Sequence, residues 1–432
     1  MKQKNTASVM NKLAQSYVQT VLALGFHDPD YVDAYYGPPE WKDDVAKEKP
    51  DLDIIRKRAA AIIAQLKTIA SSRMDEMATL RHEYVLRQLQ SLVGRVDILK
   101  GARMSFDEES RALYDAVAPT HTEDHFEEIL KSIGALLPGK GSIPERYEAF
   151  KRRYVIPKEK LDAVFNTAIT EARRRTKQHI ALPDRESFTI EYVTGKAWSG
   201  YNWYKGNATS LIQINTDLPI FIDRAVDLAS HEGYPGHHVY NALLENALVR
   251  GRQWMEFTVY ALFSPQSLVA EGTANYGIEM AFPGKERVEF ERSALFPRAG
   301  LDPASVEKYY AVHDLFLKLT YAGNEAARRY LDGKISREQA AEWLTRYALM
   351  APDRAQQRTK FFDQYRSYVI NYNLGQDLVR KYIESRAGVR QSEERRWKEF
   401  ELLLSSPRLP SGLRTGPAPG ARPGAIGANR GL

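Results

Sequence analysis

The chain has no cysteine among its 432 residues. Disulfides, thiolate metal ligands and a cysteine nucleophile are therefore excluded, and the redox compartment stays open. Nowhere does the sequence approach the run of about 18 apolar residues that a membrane-spanning helix needs, so no membrane span is expected. The first residues lack an apolar stretch with a small-residue cleavage site, and their longest apolar run, 21–26, is short. A soluble protein is expected, either cytoplasmic or exported after removal of a signal peptide. Other catalytic motifs are missing too: there is no Walker A loop, no strand-linked G-x-G-x-x-G and no G-x-S-x-G elbow. Acidic residues are absent from 405–432, which carries Arg408, Arg414, Arg422 and Arg430. Without these four arginines the formal net charge of +6 falls to +2, so no nucleic-acid partner is expected. The same stretch is rich in Pro and Gly and has no aromatic residue, which predicts disorder over 405–432.

Histidine is scarce, nine in all, yet three fall in one run, HEGYPGHH, at 231–238. Zinc binds imidazole nitrogen readily, and a catalytic site uses three protein ligands and leaves the fourth position to water. A glutamate beside the first ligand then serves as general base. The run points to metal-assisted hydrolysis, first of all of peptide bonds. Its spacing departs from the usual H-E-x-x-H. The second histidine is His237 at i+6 or His238 at i+7, roughly 9 to 10.5 Å along a straight helix, too far for two imidazoles on one ion. Pro235 interrupts a helical ladder and Gly236 tolerates unusual dihedrals. A bulge absorbing two residues would bring His237 to the ligand position and turn His238 elsewhere. A third ligand is expected from the mostly apolar stretch 268–282, which offers Glu271 and, second to it, Glu279; a glutamate in such company needs a partner.

The HE-x-x-P-G-H run, followed by E-G-x-A-x-Y-x-x-E at 271–279, resembles the bacterial domain-of-unknown-function 885 family, whose members are similar to gluzincin-type zinc metallopeptidases. HDPDYVDAYYGPPEW, 27–41, resembles the start of some members. The resemblance implies zinc ligands at His231, His237 and Glu271 and a base at Glu232. Thr273 stands where the family often has tryptophan, which bears on local packing rather than on the ligand.

The body reads as helical. Ile55, Ala59, Ile62, Ile63 and Leu66 follow helical spacing, as do Val85, Leu89, Leu92, Val93 and Val96, and Leu161, Phe165, Ala168, Ile169 and Ala172. Two alternating runs, 188–193 and 210–215, read as strands around a turn-rich loop containing Trp198, Tyr201, Trp203 and Tyr204. The expected fold is mainly α: a large helical metallopeptidase-like fold with a small antiparallel β-sheet beside the zinc helix. The sheet edge can take an extended substrate by strand addition, and the aromatic loop can wall a side-chain pocket. The expected organisation is an N-terminal helical region at 1–136, a zinc-binding catalytic region at 137–404 packed as one unit with it, and the tail at 405–432. Asp217 is expected to open the helix that reaches His231. Asp227, four residues before His231, either orients that imidazole or faces water.

A tetrahedral oxyanion needs a donor besides the metal. Tyr372 is the first choice and Arg366 the next; Arg366 can instead hold a substrate carboxylate. The sequence therefore supports a zinc-dependent peptidase acting on peptide substrates. Two alternatives stand beside it: a non-catalytic helical binding protein with a structural or vestigial metal site, and a zinc hydrolase of other amides or esters. The intact Glu232 favours catalysis, because a structural site has no use for a base beside its ligand.

Overall fold

Each apolar stripe becomes one buried helix face in the computed structural model, which describes residues 2–70, 74–387 and 392–414. Ile55, Ala59, Ile62 and Leu66 line the inner side of the helix Leu52–Lys67, and Asp51 caps it by accepting from the Ile54 amide at 2.8 Å. Asp75 caps Glu76–Leu99 in the same way, and Val85, Leu89, Leu92 and Val96 of that helix are buried. Leu161–Lys177 buries Phe165, Ala168 and Ala172. Alternation of buried and solvated positions at a period near 3.6 gives each helix one face to pack. These faces join one apolar core that runs from Met10 to Leu413, and the fold is mainly α. No helix among the described residues is long and apolar enough to cross a membrane.

The strands sit to one side of the helices. β1 (Val32–Tyr35) pairs antiparallel with β5 (Val259–Ala261). β2 (Ser187–Val193), β3 (Gly200–Gly206) and β4 (Thr209–Asn215) form a second sheet in the order β2-β4-β3. The two strands expected from alternation are β2 and β4, and they run parallel. The antiparallel partner of β4 is β3, which occupies the stretch expected to be a loop. Its aromatic and Gly-rich composition hides the alternation, yet it supplies the crossing strand that lets β2 and β4 point the same way. Asp217 does not open a helix, which is a second departure. Its carboxylate accepts from the Gly195 amide at 2.8 Å, closing the β2–β3 loop, and the helix begins at Asp223.

The helices Pro265–Ala281 and Ile370–Ala387 cross at two glycines. A Cβ on Gly272 would overlap the Gly375 backbone, and one on Gly375 would lie 2.6 Å from the Leu268 carbonyl oxygen. Only glycine permits this approach. It sets the side chains of 368–372 against Glu271.

The expected disorder of 405–432 is corrected for its first ten residues. Pro410–Arg414 is a short helix with Pro410 and Leu413 buried, and Leu409 is buried before it. Asp115 accepts from the Ser411 amide at 3.0 Å and its carbonyl accepts from Arg414 at 2.7 Å. Two leucines four residues apart are enough to dock one turn, a local signal that the Pro/Gly-rich composition obscured. Residues 415–432 lie outside the described residues. Truncation after Arg414 is expected to leave the melting temperature nearly unchanged. Truncation before Ser405 is expected to cost at least about 2 kcal/mol, since it removes two buried leucines. Equal melting temperatures for the two truncations, measured by calorimetry, would refute the docking.

Candidate metal centre

The helix Asp223–Leu228 runs into a π-helical turn, Ala229–Gly233, which carries His231 and Glu232. The wider turn takes up extra residues. The chain then reverses: the Tyr234 amide donates to the Ala229 carbonyl at 3.0 Å and the Gly236 amide to the Ser230 carbonyl at 2.8 Å. A Cβ on Gly236 would overlap the His231 carbonyl, so the reversal needs glycine. A new helix, His237–Leu244, starts there. Its first residue lands beside His231, with the two Nε2 atoms 3.1 Å apart.

Glu271, on the helix Pro265–Ala281, completes the group. Its Oε2 lies 3.2 Å from His231 Nε2 and 3.7 Å from His237 Nε2. Bond lengths of about 2.0–2.1 Å at tetrahedral angles place zinc ligands about 3.3 Å from one another, close to these three separations. Glu271 Oε2 is buried and has no hydrogen-bond partner among the described residues, while Oε1 accepts from the Tyr368 hydroxyl at 2.7 Å. His231 donates from Nδ1 to Asn275 Oδ1 at 2.9 Å, which leaves its Nε2 lone pair facing the group. Asn275 Nδ2 in turn donates to the Tyr372 carbonyl at 3.0 Å. Two imidazole nitrogens and an unpaired carboxylate oxygen thus converge as a metal's donor set would. His231, His237 and Glu271 together fit a divalent cation.

Charge points the same way. Glu232 and Glu271 are buried here, and both are close enough to perturb Asp33 of β1. Burial lifts the Glu232 carboxyl above the usual range, against the pull of His231 and His237. Burial likewise raises Asp33 to about 6, although it accepts a hydrogen bond from Tyr201. Burial opposes the charge on His237, yet the neighbouring carboxylates of Glu271, Glu232 and Asp33 raise it to about 9. Glu271, despite burial, is held well below the carboxylate range by the two imidazoles. Three carboxylates around two imidazoles leave a deficit of positive charge that a cation would fill.

Glu232 makes no hydrogen bond through its carboxylate among the described residues. Its position is set by packing. A Cβ on Gly200 would lie 2.9 Å from Glu232 Oε1 and 2.7 Å from Leu228 Cδ2, and Asn202 donates to the Glu232 carbonyl at 2.7 Å. Both residues belong to β3, so this strand runs directly past the carboxylate. Trp198, Tyr201 and Trp203 stack in sequence, with ring centroids 5.3 and 4.6 Å apart. With Asp30, Asp33 and Tyr365 they line a cavity of about 390 Å³.

Several expected residues lie elsewhere. His238 is buried, 2.8 Å from Ser210 Oγ and 3.2 Å from Glu186 Oε2. Glu279 pairs with Arg380 and Gln376. Asp227 pairs with Arg224 and Arg287 instead of orienting His231; Asn275, one turn after Glu271, has that place. Arg366 is tied to another carboxylate. It sits at a break between helices, at φ 51°, and its Nε donates to the buried Glu109 at 2.6 Å. Glu109 also holds Ser367 at 2.6 Å. Tyr372 is near enough to feel the charges of Glu271, Arg358 and Glu232, and its hydroxyl has no hydrogen-bond partner among the described residues. Asn275 and Asp33 escaped the sequence reading. The E-G-x-A-N spacing could have signalled Asn275, since i and i+4 share a helix face.

No protein-family model matches the sequence, and no curated protein matches it in sequence. The likeness to the domain-of-unknown-function 885 family therefore rests on the motif residues. Solved structures align with much of the chain. A protein from Colwellia psychrerythraea described as a lipoprotein matches with a TM-score of 0.50 at 16% identity, covering 88% of this chain and 76% of that one. One from Shewanella oneidensis, described as a lipoprotein of unknown function, matches with a TM-score of 0.48 at 10% identity over 87% and 75% of the two chains. The M32 carboxypeptidase of Deinococcus radiodurans R1 gives 0.37 at 13% identity over 93% and 90%. At such identities the likeness to the Colwellia protein is one of fold.

Proposed function

We propose that the protein is a zinc-dependent hydrolase that cleaves peptide bonds. The observation that carries this reading is the convergence of His231 Nε2, His237 Nε2 and the unpaired Glu271 Oε2, with the buried Glu232 next in sequence to a ligand. A zinc ion held by these three would supply a Lewis acid for the scissile carbonyl and a more acidic water. Glu232 takes a proton from the attacking water and passes it to the amide nitrogen as the C–O bond forms and the C–N bond breaks. Asn275 fixes the His231 tautomer, and Tyr368 holds the Glu271 carboxylate. The free edge of β3, passing Glu232 at Gly200, is placed to receive an extended backbone. Purified protein is expected to hold about one zinc per chain, to cleave a peptide library, and to stop when zinc is chelated. Full activity in metal-free protein would end this reading.

Tyr372 is the proposed oxyanion donor, since its hydroxyl has no competing partner among the described residues. Tyr372→Phe is expected to lower kcat by about 10²- to 10³-fold with little change in KM. The ring stays among Phe361 and Tyr368, so folding is unaffected. Tyr368→Phe is expected to behave differently, weakening zinc binding through Glu271. An unchanged kcat in Tyr372→Phe would reduce Tyr372 to a packing residue.

A further inference from the structure

Arg358, like Arg396, is a partly buried arginine whose Nε is unpaired among the described residues, and of the two Arg358 is the one near the candidate metal centre. Arg81 pairs with Glu256, Arg95 with Asp28 and Arg328 with Glu325. Arg358 has no hydrogen-bond or ion-pair partner among the described residues, and its Nε is shut off from solvent unpaired. A buried N–H without an acceptor is costly, and with no acceptor for this fork among the described residues, one from outside the chain would satisfy it. The side chain is also held in advance. It belongs to the helix Pro352–Tyr365, and its guanidinium lies 4.2 Å from the Phe361 ring centroid and 5.8 Å from that of Tyr372. It is close enough to the candidate metal centre to feel the charges of Tyr372 and Glu271. Arg366, the other candidate, is tied to Glu109.

We infer that Arg358 binds the C-terminal carboxylate of the substrate, so that the enzyme removes residues one at a time from the C-terminus; this rests on the zinc-peptidase reading. A planar fork of N–H donors matches a carboxylate in bidentate fashion, and a fork already stacked on aromatic rings loses little freedom on binding. The anchor is linked to Glu271 through Tyr372 and Tyr368, which would hold the carboxylate near the cut. The last peptide C–N bond breaks, the water oxygen enters the new carboxylate, and its proton goes to the amine of the released residue. The competing role for Arg358 is oxyanion stabilisation, which would act on every substrate alike.

The test uses the zinc-loaded full chain and a hexapeptide library made both as free acids and as C-terminal amides. Single C-terminal residues are expected to be released from the acids, with the amides resistant. Arg358→Gln is expected to reduce kcat/KM on the acids by on the order of 10²-fold, chiefly through KM, without changing zinc content or melting temperature. Arg358→Lys, which keeps the charge but loses the fork, falls between. A binding readout needs no turnover: in zinc-loaded Glu232→Gln, N-acetylphenylalanine is expected to bind at least about tenfold more tightly than its amide, and Arg358→Gln added to that protein abolishes the preference. Internal cleavage of acids and amides alike, or equal losses on both with Arg358→Gln, would overturn the inference while leaving the zinc-peptidase reading in place. No cleavage of any peptide would remove that reading, and the calorimetric preference would then decide the role of Arg358 by itself.

Discussion

Glu232→Gln is expected to keep its fold and its zinc and to lose at least about 10²-fold in turnover, the usual scale for a general base. The substitution is nearly isosteric, which matters because Gly200 and Leu228 pack closely around this side chain. The three donor atoms that converge belong to His231, His237 and Glu271, so the carboxamide should not disturb metal binding. What it removes is the ability to take a proton from water. Zinc content by elemental analysis and steady-state kinetics on the same preparation check both halves. Undiminished turnover would exclude the mechanism. Loss of zinc together with activity would make Glu232 a ligand instead of a base.

Replacing His231, His237 or Glu271 by alanine is expected to take zinc from about one per chain to nearly none, since each variant leaves only two of the three protein ligands. His238→Ala is the control, because the chain reversal at Pro235 and Gly236 sends that imidazole to Ser210 and Glu186. It is expected to keep zinc while losing about 1–3 kcal/mol of stability, the cost of leaving buried polar partners unsatisfied. Asn275→Ala is expected to weaken zinc binding by about 10- to 100-fold, the scale for losing the group that orients a ligand imidazole. The assignment fails if His238→Ala is metal-free and His237→Ala retains zinc. It also fails if Asn275→Ala binds zinc as the parent does, for then the Nδ1 contact does not set the tautomer.

What was legible in the sequence was local. Helical stripes such as Ile55, Ala59, Ile62 and Leu66 announce a buried face because one period of the backbone decides which side chains share it. The donor chemistry at residues 231–238 was legible for the same reason: residue types and spacing limit what can grip an ion, and Pro-Gly marks where the chain must bend. Long-range juxtaposition was not. β1 carries Asp33 to the site only because it pairs with β5, more than 220 positions away in the chain. Arg366 and Arg358 are alike as isolated letters. The difference is that the buried Glu109 meets one of them and, among the described residues, no acid pairs with the other. The direction of β2 against β4 likewise depended on β3, whose residues do not alternate clearly. Sequence by itself thus determined the helices and the kinds of ligand, because these follow from backbone period and side-chain chemistry. Only the tertiary structure decided which distant carboxylate, amide or guanidinium stands beside them, because that choice rests on packing between segments far apart along the chain.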